Sequence, residues 1–392
     1  MRLAAFLLIS ILLAMPAAAQ DAAHQHDAPA GPWQWSVEGR VFLGYNYQRR
    51  EFTDFDEFES QNWLTAAVSR TFGRGSDLQL IGMFSAEPWT MRDIGSPQVF
   101  QTGETFQGAP LVDYQHPHDL IMNLGGTYTQ PIGATTMTVS AYVVGPAPIG
   151  PPAFMHRESA ADNPQSPLSH HYLDATHVTP GVIAIGLERN GFGLEIGAFH
   201  GQEPDEDRLD LDTAALDSYS ARLSWADGPW QFQISGADLK TPERKSPYDA
   251  TRLTASASYF KGDDLRSIAW TAAFGQNRGV FGNLEAYLFE TTRRAGSNSL
   301  YARAESVAKD ILDAGFHPIG TTHTHRQSQI GALTIGYVRT IASRSFGAIG
   351  VGGDVTGYLV PDNLKESYGS PLSFHVFARL GGSAGARMTH RH

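Results

Sequence analysis

The chain has no cysteine, little charge, and, beyond its first twenty residues, no apolar run of bilayer-spanning length. The missing cysteine excludes disulfides, thiolate metal sites and cysteine nucleophiles, so an exported chain of this kind must be stabilised by other means. Without a stretch of about 20 apolar residues, an α-helical membrane protein is excluded as well. Charged residues make up 18% of the 392, and the net charge is -11 with no basic block. Soluble domains usually carry about 25% charged residues, and an acidic chain without a basic patch is not built for nucleic acid. Glycine, at 40 residues, and aromatics, at 11%, are abundant instead. Low charge with many glycines and aromatics suits a β-barrel whose outer wall lies in lipid.

The ends read as processing and flanking segments. Arg2, the apolar stretch Ala4 to Met15 and the small residues Ala17, Ala18 and Ala19 have the layout of a secretory signal peptide over 1–19. Residues 20–32 then form a flexible periplasmic leader, 33–381 the barrel and 382–392 a C-terminal periplasmic tail. Many such barrels stop at a terminal aromatic, so this tail weakens the usual signal to the barrel-assembly machinery.

Periodicity carries the fold. From Trp33 the odd positions read Trp33, Trp35, Val37, Gly39, Val41, Leu43, Tyr45 and Tyr47, and the even ones Gln34, Ser36, Glu38, Arg40, Phe42, Gly44, Asn46 and Gln48. A period of two places these sets on opposite faces of one strand. Aromatics at both ends of the apolar face, with aliphatics between, match a strand crossing an outer membrane. The alternation returns at Ser218 to Trp225, Trp230 to Ser235, Leu253 to Tyr259 and Leu372 to Leu380.

Connections alternate in length. Short turns fall near Arg74-Gly75, Ile132-Gly133, Asn190-Gly191, Asp227-Gly228, Gly262-Asp263, Ala295-Gly296 and Arg344. Longer polar segments lie between them: Arg49 to Ser60, Glu87 to Gln115, Gly145 to Ala175, Gln202 to Ala214, Thr241 to Pro247 and Val307 to Thr324. This asymmetry predicts an all-β, antiparallel transmembrane outer-membrane barrel with short periplasmic turns and long extracellular loops. About 16 strands are expected, with 14 as the alternative; an even number follows from antiparallel closure. Ser306 to Ala314 reads as a loop helix. The two longest loops, Glu87 to Gln115 and Gly145 to Ala175, have the length to fold inward and constrict the pore.

The inward set predicts a polar lumen, with Glu38, Arg40, Arg222 and Arg379 lining the pore. Histidines gather at the expected extracellular mouth: His116, His118, His156, His170, His171, His177 and His200, with His317, His323 and His325 around a later loop. His116-Pro117-His118-Asp119 and Thr322-His323-Thr324-His325 each set two imidazoles at i and i+2. Imidazoles are common ligands of Zn and Cu, and carboxylates such as Asp119 complete such shells. The candidate divalent-metal set is therefore His116, His118, Asp119, His156, His170, His171, His177, His323 and His325. No helical His-x3-His is present, and rim histidines often only bond loop carbonyls. The acidic run Gln202 to Asp212 reads as a solvated loop. Ser169 beside His170, His171 and Asp174 is the one cluster that suggests a hydrolase, but adjacent Ser and His point to opposite sides of an extended chain, and no enzyme is expected.

Several motifs together resemble a family of predicted proteobacterial outer-membrane β-barrel proteins. They are His116-Pro117-His118-Asp119, Phe154-Met155-His156-Arg157, Asp162-Asn163-Pro164, Ser169-His170-His171, Glu203 to Arg208, Gly352 to Thr356 and Ser373 to Phe377. The resemblance implies a barrel of the Gram-negative outer membrane, in heavy-metal (often copper) resistance contexts, and supplies no catalytic residues. The expected function is a passive, porin-like channel for small solutes or ions with a metal-binding mouth. Its expected partners are outer-membrane lipid, lipopolysaccharide and further copies of itself. A non-conducting metal-binding surface protein is the first alternative and an outer-membrane hydrolase the second.

Overall fold

A computed structural model describes residues 31–385 apart from 213, 245–247, 281, 313–325 and 345–346. Alternating sequences pair into one antiparallel sheet. Its strands are β1 (Gln34–Arg50), β2 (Thr53–Glu59), β3 (Asn62–Phe72), β4 (Ser76–Phe84), β7 (Ile121–Ile132), β8 (Thr135–Gly145), β9 (Thr179–Arg189), β10 (Phe192–Phe199), β11 (Ser218–Asp227) and β12 (Trp230–Leu239). They continue as β13 (Ala250–Gly262), β14 (Arg266–Gly279), β15 (Gly282–Ala295), β16 (Asn298–Lys309), β17 (Ser328–Arg344), β18 (Gly347–Leu359) and β19 (Leu372–Gly385). A separate hairpin, β5 (Ser96–Phe106) with β6 (Ala109–Gln115), lies in the connection after β4.

The wall closes where β1 meets β19, from Ser36↔Gly385 to Arg49↔Leu372. β2 and β3 both pair with β1, the first opposite Gly44 to Arg50 and the second opposite Gln34 to Val41. They are one barrel strand interrupted at Ser60-Gln61, so the 17-stranded sheet is a closed barrel of 16. Closure removes every sheet edge. Each of the seven expected short turns separates two paired strands at one end of the barrel.

Side chains follow the alternation. Leu43, Ile183, Ile185, Ile196, Leu223, Ile234, Leu333 and Ile335 point outward and stay between 45% and 58% exposed. An apolar belt of this extent is intolerable in water and expected in lipid. Trp225, Phe232, Trp230, Tyr259 and Trp270 form a run of ring contacts toward the short-turn end.

Two expectations for the connections are corrected. Arg49 to Ser60 is not a loop: β1 runs to Arg50 and returns at Thr53 as a tight hairpin. Ser306 to Ala314 is not a loop helix: Ser306 to Lys309 extend β16, with Val307 paired to both Ala286 and Ile330. Two-sided pairing overrides the local helical preference there; Asp313 and Ala314 lie outside the described residues.

The two longest connections turn into the barrel. Residues 85–120 carry a one-turn helix (Glu87–Thr90) and the β5–β6 hairpin, and nearly all of β5 is buried. The hairpin is bulged between Pro97 and Thr105, with Phe100, Gly103 and Glu104 at positive φ, which curls it to the shape of the lumen. Residues 146–178 make the second inward loop. Val99, Phe100, Leu168 and Leu173 of these loops pack on Leu288, Val307 and Ile330 of the wall. A barrel of this size commonly encloses water; here its long-loop half holds a packed core.

Candidate functional site

The inward wall holds the second loop by its arginines. Arg40 on β1 donates to the Ala161 carbonyl, and Arg379 on β19 grips Asp162. Arg222 on β11 pairs with Glu195 and reaches the Gly150 carbonyl at 3.3 Å. Arg294 on β15 meets Glu158 at 2.9 Å. Arg303 on β16 reaches the Gln165 carbonyl at 2.8 Å. Arg40, Arg222 and Arg379 of the expected pore-lining set thus point into the lumen and bind the loop that narrows it. Glu38 shares their inward phase on β1 and is partly buried.

The first loop is fastened beside it. Asn46 donates to Ser96 Oγ and the Pro97 carbonyl, Gln48 accepts from the Val99 N–H, and Arg50 meets Asp113 at 3.0 Å. Pro117 lacks an N–H and breaks the strand phase. Wall strand β7 therefore starts only at Ile121, which frees His116 and His118 from its outward set.

Five of the candidate histidines surround one cavity of about 20 Å³, lined also by Glu104, Asp119, Glu203 and Arg208. That is room for roughly one water-sized species. Ring centroids lie 5.4 Å apart for His118 and His177, 5.2 Å for His170 and His177, 5.2 Å for His170 and His171, and 5.8 Å for His116 and His171. Three Nδ1 atoms are engaged at 2.8 Å: His118 with Glu87 Oε2, His170 with Asp174 Oδ1, and His177 with the Asp174 carbonyl. A proton on Nδ1 leaves the Nε2 lone pair available, as in carboxylate–histidine–metal sites. The Nε2 atoms of His118 and His177 are buried without a partner. Burial lowers the pKa of His170 and of His171 to about 4, and that of His177 well below its ordinary value. These rings are neutral at pH 7, the form that binds metal. For His118 the same burial is outweighed by Glu87, and its pKa rises.

Other members of the expected set are placed differently. Asp119 is held by Arg208 at 3.1 Å. His116 meets Glu104 at 3.0 Å. His156 lies apart, with its ring edge-on to Trp63 at 5.0 Å. His323 and His325 fall outside the described residues. Among the described residues, two groups place three candidate ligand atoms within 4.8 Å of one another: His171, Glu203 and Glu243, and Asp205, Asp210 and Asp212. Glu203, quoted before only within the motif Glu203 to Arg208, and Glu243 are therefore ligand candidates outside the expected set, while Glu87 and Glu104 orient His118 and His116. They come from three connections, and no spacing along the chain links them. Ser169 donates to Glu305 Oε1 at 2.7 Å and His170 turns to Asp174, so no Ser–His pair forms.

No family model and no curated protein matches the chain. Solved structures do, porins among them. The anion-selective porin from Comamonas acidovorans matches over 90% of this chain and all of its own, at 12% identity and a TM-score of 0.52. Salmonella typhi OmpF, in complex with daunomycin, matches over 89% of this chain and 97% of its own, at 8% identity and a TM-score of 0.55. OprB of Pseudomonas putida matches over 91% and 94%, at 8% identity and a TM-score of 0.51. At such identities the likeness shows the fold: a porin-type barrel of 16 antiparallel strands.

Proposed function

We propose that the protein is a porin-like channel of the Gram-negative outer membrane, narrowed by its own loops to ion dimensions, with a histidine chamber at the outer mouth that binds divalent metal ions. The long-loop end then faces outward and the short turns the periplasm. The observation that carries the reading is the filled upper lumen. Two loops bound to wall arginines leave small cavities of about 40, 20 and 10 Å³, each bordered by polar groups. Spaces of that size admit ions and waters, while larger solutes need the loops to move. The five clustered histidines, with unpartnered Nε2 atoms on three of them (His118, His171 and His177), support metal binding, in keeping with the heavy-metal contexts of the resembling family.

Planar-bilayer recording of the purified chain tests conduction. A small, ion-sized conductance is expected, rising when residues 96–115 are deleted. Silence from both the intact chain and the deletion would sink the channel. Silence that ends on deletion would favour the non-conducting barrel, which the packed core also supports. For the chamber, Zn²⁺ or Cu²⁺ titration of a His116→Ala, His118→Ala variant should show weakened binding; affinity equal to wild type rejects those ligands. Copies of the chain associating in the membrane, as porins do in some cases, would appear as stepwise multiples of one conductance level.

A further inference from the structure

The carboxylates around the histidine chamber carry the argument one step further. His171 on the second inward loop, Glu203 in the connection after β10 and Glu243 in the connection after β12 each offer one ligand atom, all within 4.8 Å of one another. His171 Nδ1 lies 3.2 Å from Glu203 Oε1, with side chains 5% and 9% exposed. The second oxygen, Glu203 Oε2, is buried with no hydrogen-bond partner. A buried carboxylate oxygen without a donor is costly unless something positive meets it. Arg252 is the wall cation whose charge acts on both carboxylates. Its Nε is committed to Asn277 at 2.8 Å, and its Nη1 has no partner, so it does not satisfy them by contact.

We propose that His171, Glu203 and Glu243 form a divalent-cation site of one imidazole and two carboxylates, which ties three separate connections together at the mouth of the barrel. This deepens the metal reading above and rests on it, but names ligands that the histidine motifs do not contain. The donor set suits a borderline ion such as Zn²⁺, whose bonds to imidazole nitrogen and carboxylate oxygen are about 2.0–2.2 Å and whose ligands then sit ~3.4 Å apart. His171 Nδ1 and Glu203 Oε1 already stand at about that separation, and the remaining pairs need to close by at most ~1.4 Å. A water or substrate oxygen would complete a tetrahedron.

The test is Zn²⁺ titration of the full chain, folded in detergent, for wild type, Glu243→Gln, Glu203→Gln with Glu243→Gln, and His118→Ala. Retained barrel folding is checked by heat-dependent gel mobility, and the single variant Glu243→Gln decides if the double does not fold. Wild type should bind at least one equivalent, with X-ray absorption reporting one nitrogen and two or more oxygen neighbours. The carboxylate variants should lose that ion or bind it at least about 100-fold more weakly, the upper end of what loss of an outer-shell partner alone costs. Equal affinity and stoichiometry in Glu243→Gln and wild type would overturn the site, as would a shell of three nitrogens lost in His118→Ala. Failure of wild type to bind any metal would overturn both this site and the metal reading of the mouth, while leaving the channel reading to the bilayer experiment.

Discussion

Arg157 and Glu290 meet at 2.6 Å inside the barrel, one on an inward loop and the other on a wall strand, with their side chains 2% and 1% exposed. Arg157 also holds Asp174 at 2.5 Å, the residue that orients His170 and His177. One guanidinium therefore couples the position of the loop to the histidine chamber. Without it Glu290 keeps Arg303 at 3.3 Å but Asp174 loses its guanidinium, and stripping a buried carboxylate of its cation typically costs about 3–5 kcal/mol. Arg157→Met should lower the unfolding midpoint, raise the single-channel conductance by loosening residues 146–178, and weaken Zn²⁺ binding. Unchanged conductance together with unchanged metal binding would show that the loop is seated by its other contacts.

The outer wall can be tested one side chain at a time. Ile234 sits mid-strand on β12, opposite Leu223 and Ala255, and is 58% exposed on the outward face. An arginine there places a charge in hydrocarbon, at a cost of about 2–4 kcal/mol near the bilayer midplane. Ile234→Arg should lose that much in denaturant unfolding from phospholipid vesicles. Stability equal to the parent would mean that this face does not lie in lipid.

These two tests mark what was legible in the sequence and what was not. Alternation is a local property of a strand, so Trp33 to Gln48 disclosed both faces of β1, and Arg40, Arg222 and Arg379 are bonded to the second inward loop. The Gly-containing turns were readable because they need φ above zero, as at Gly133, Gly191 and Gly228. The packing of the loops was not readable. Val99 and Phe100 look like any apolar pair, and only the wall residues beneath them, far along the chain, explain their burial. Ser306 to Ala314 misled because its composition favours a helix while the neighbours β15 and β17 hold Ser306 to Lys309 in a strand. At the site, the histidines stood out as a rare residue type. Glu87, Glu203 and Glu243 did not, being three of many carboxylates until the fold brought them together.

The pH dependence of the first inward loop turns on Asp113. It sits on β6, 2% exposed, and burial pushes its carboxyl up to about 6 against the pull of Arg50 at 3.0 Å. A carboxyl whose folded pKa is raised contributes most below its unfolded value of about 3.9. That contribution is lost as pH rises through about 6, because the folded state then binds more protons than the unfolded one. Asp113 has φ 64°, a conformation asparagine also tolerates. Asp113→Asn should therefore be less stable than wild type at pH 4, and the deficit should shrink by pH 7.5. Thermal unfolding at the two pH values measures this, and a deficit that is equal at both, or larger at pH 7.5, would contradict a raised pKa.

Gly103 offers the last test, because it supports the ring of His171. Its φ is +138°, and a Cβ added there would lie 2.2 Å from His171 Nε2. No side-chain movement short of displacing the imidazole relieves such a contact. Gly103→Ala therefore combines backbone strain, on the order of 1–3 kcal/mol, with a shift of one proposed ligand. Gly133 separates the two effects: its φ is +62°, and nothing lies within 4 Å of an added Cβ. Gly133→Ala should carry strain at a short turn while leaving Zn²⁺ affinity at the wild-type value. Gly103→Ala should weaken binding by an order of magnitude or more at similar overall stability. If the two variants bind Zn²⁺ equally well, His171 is not a ligand, whatever their melting temperatures show.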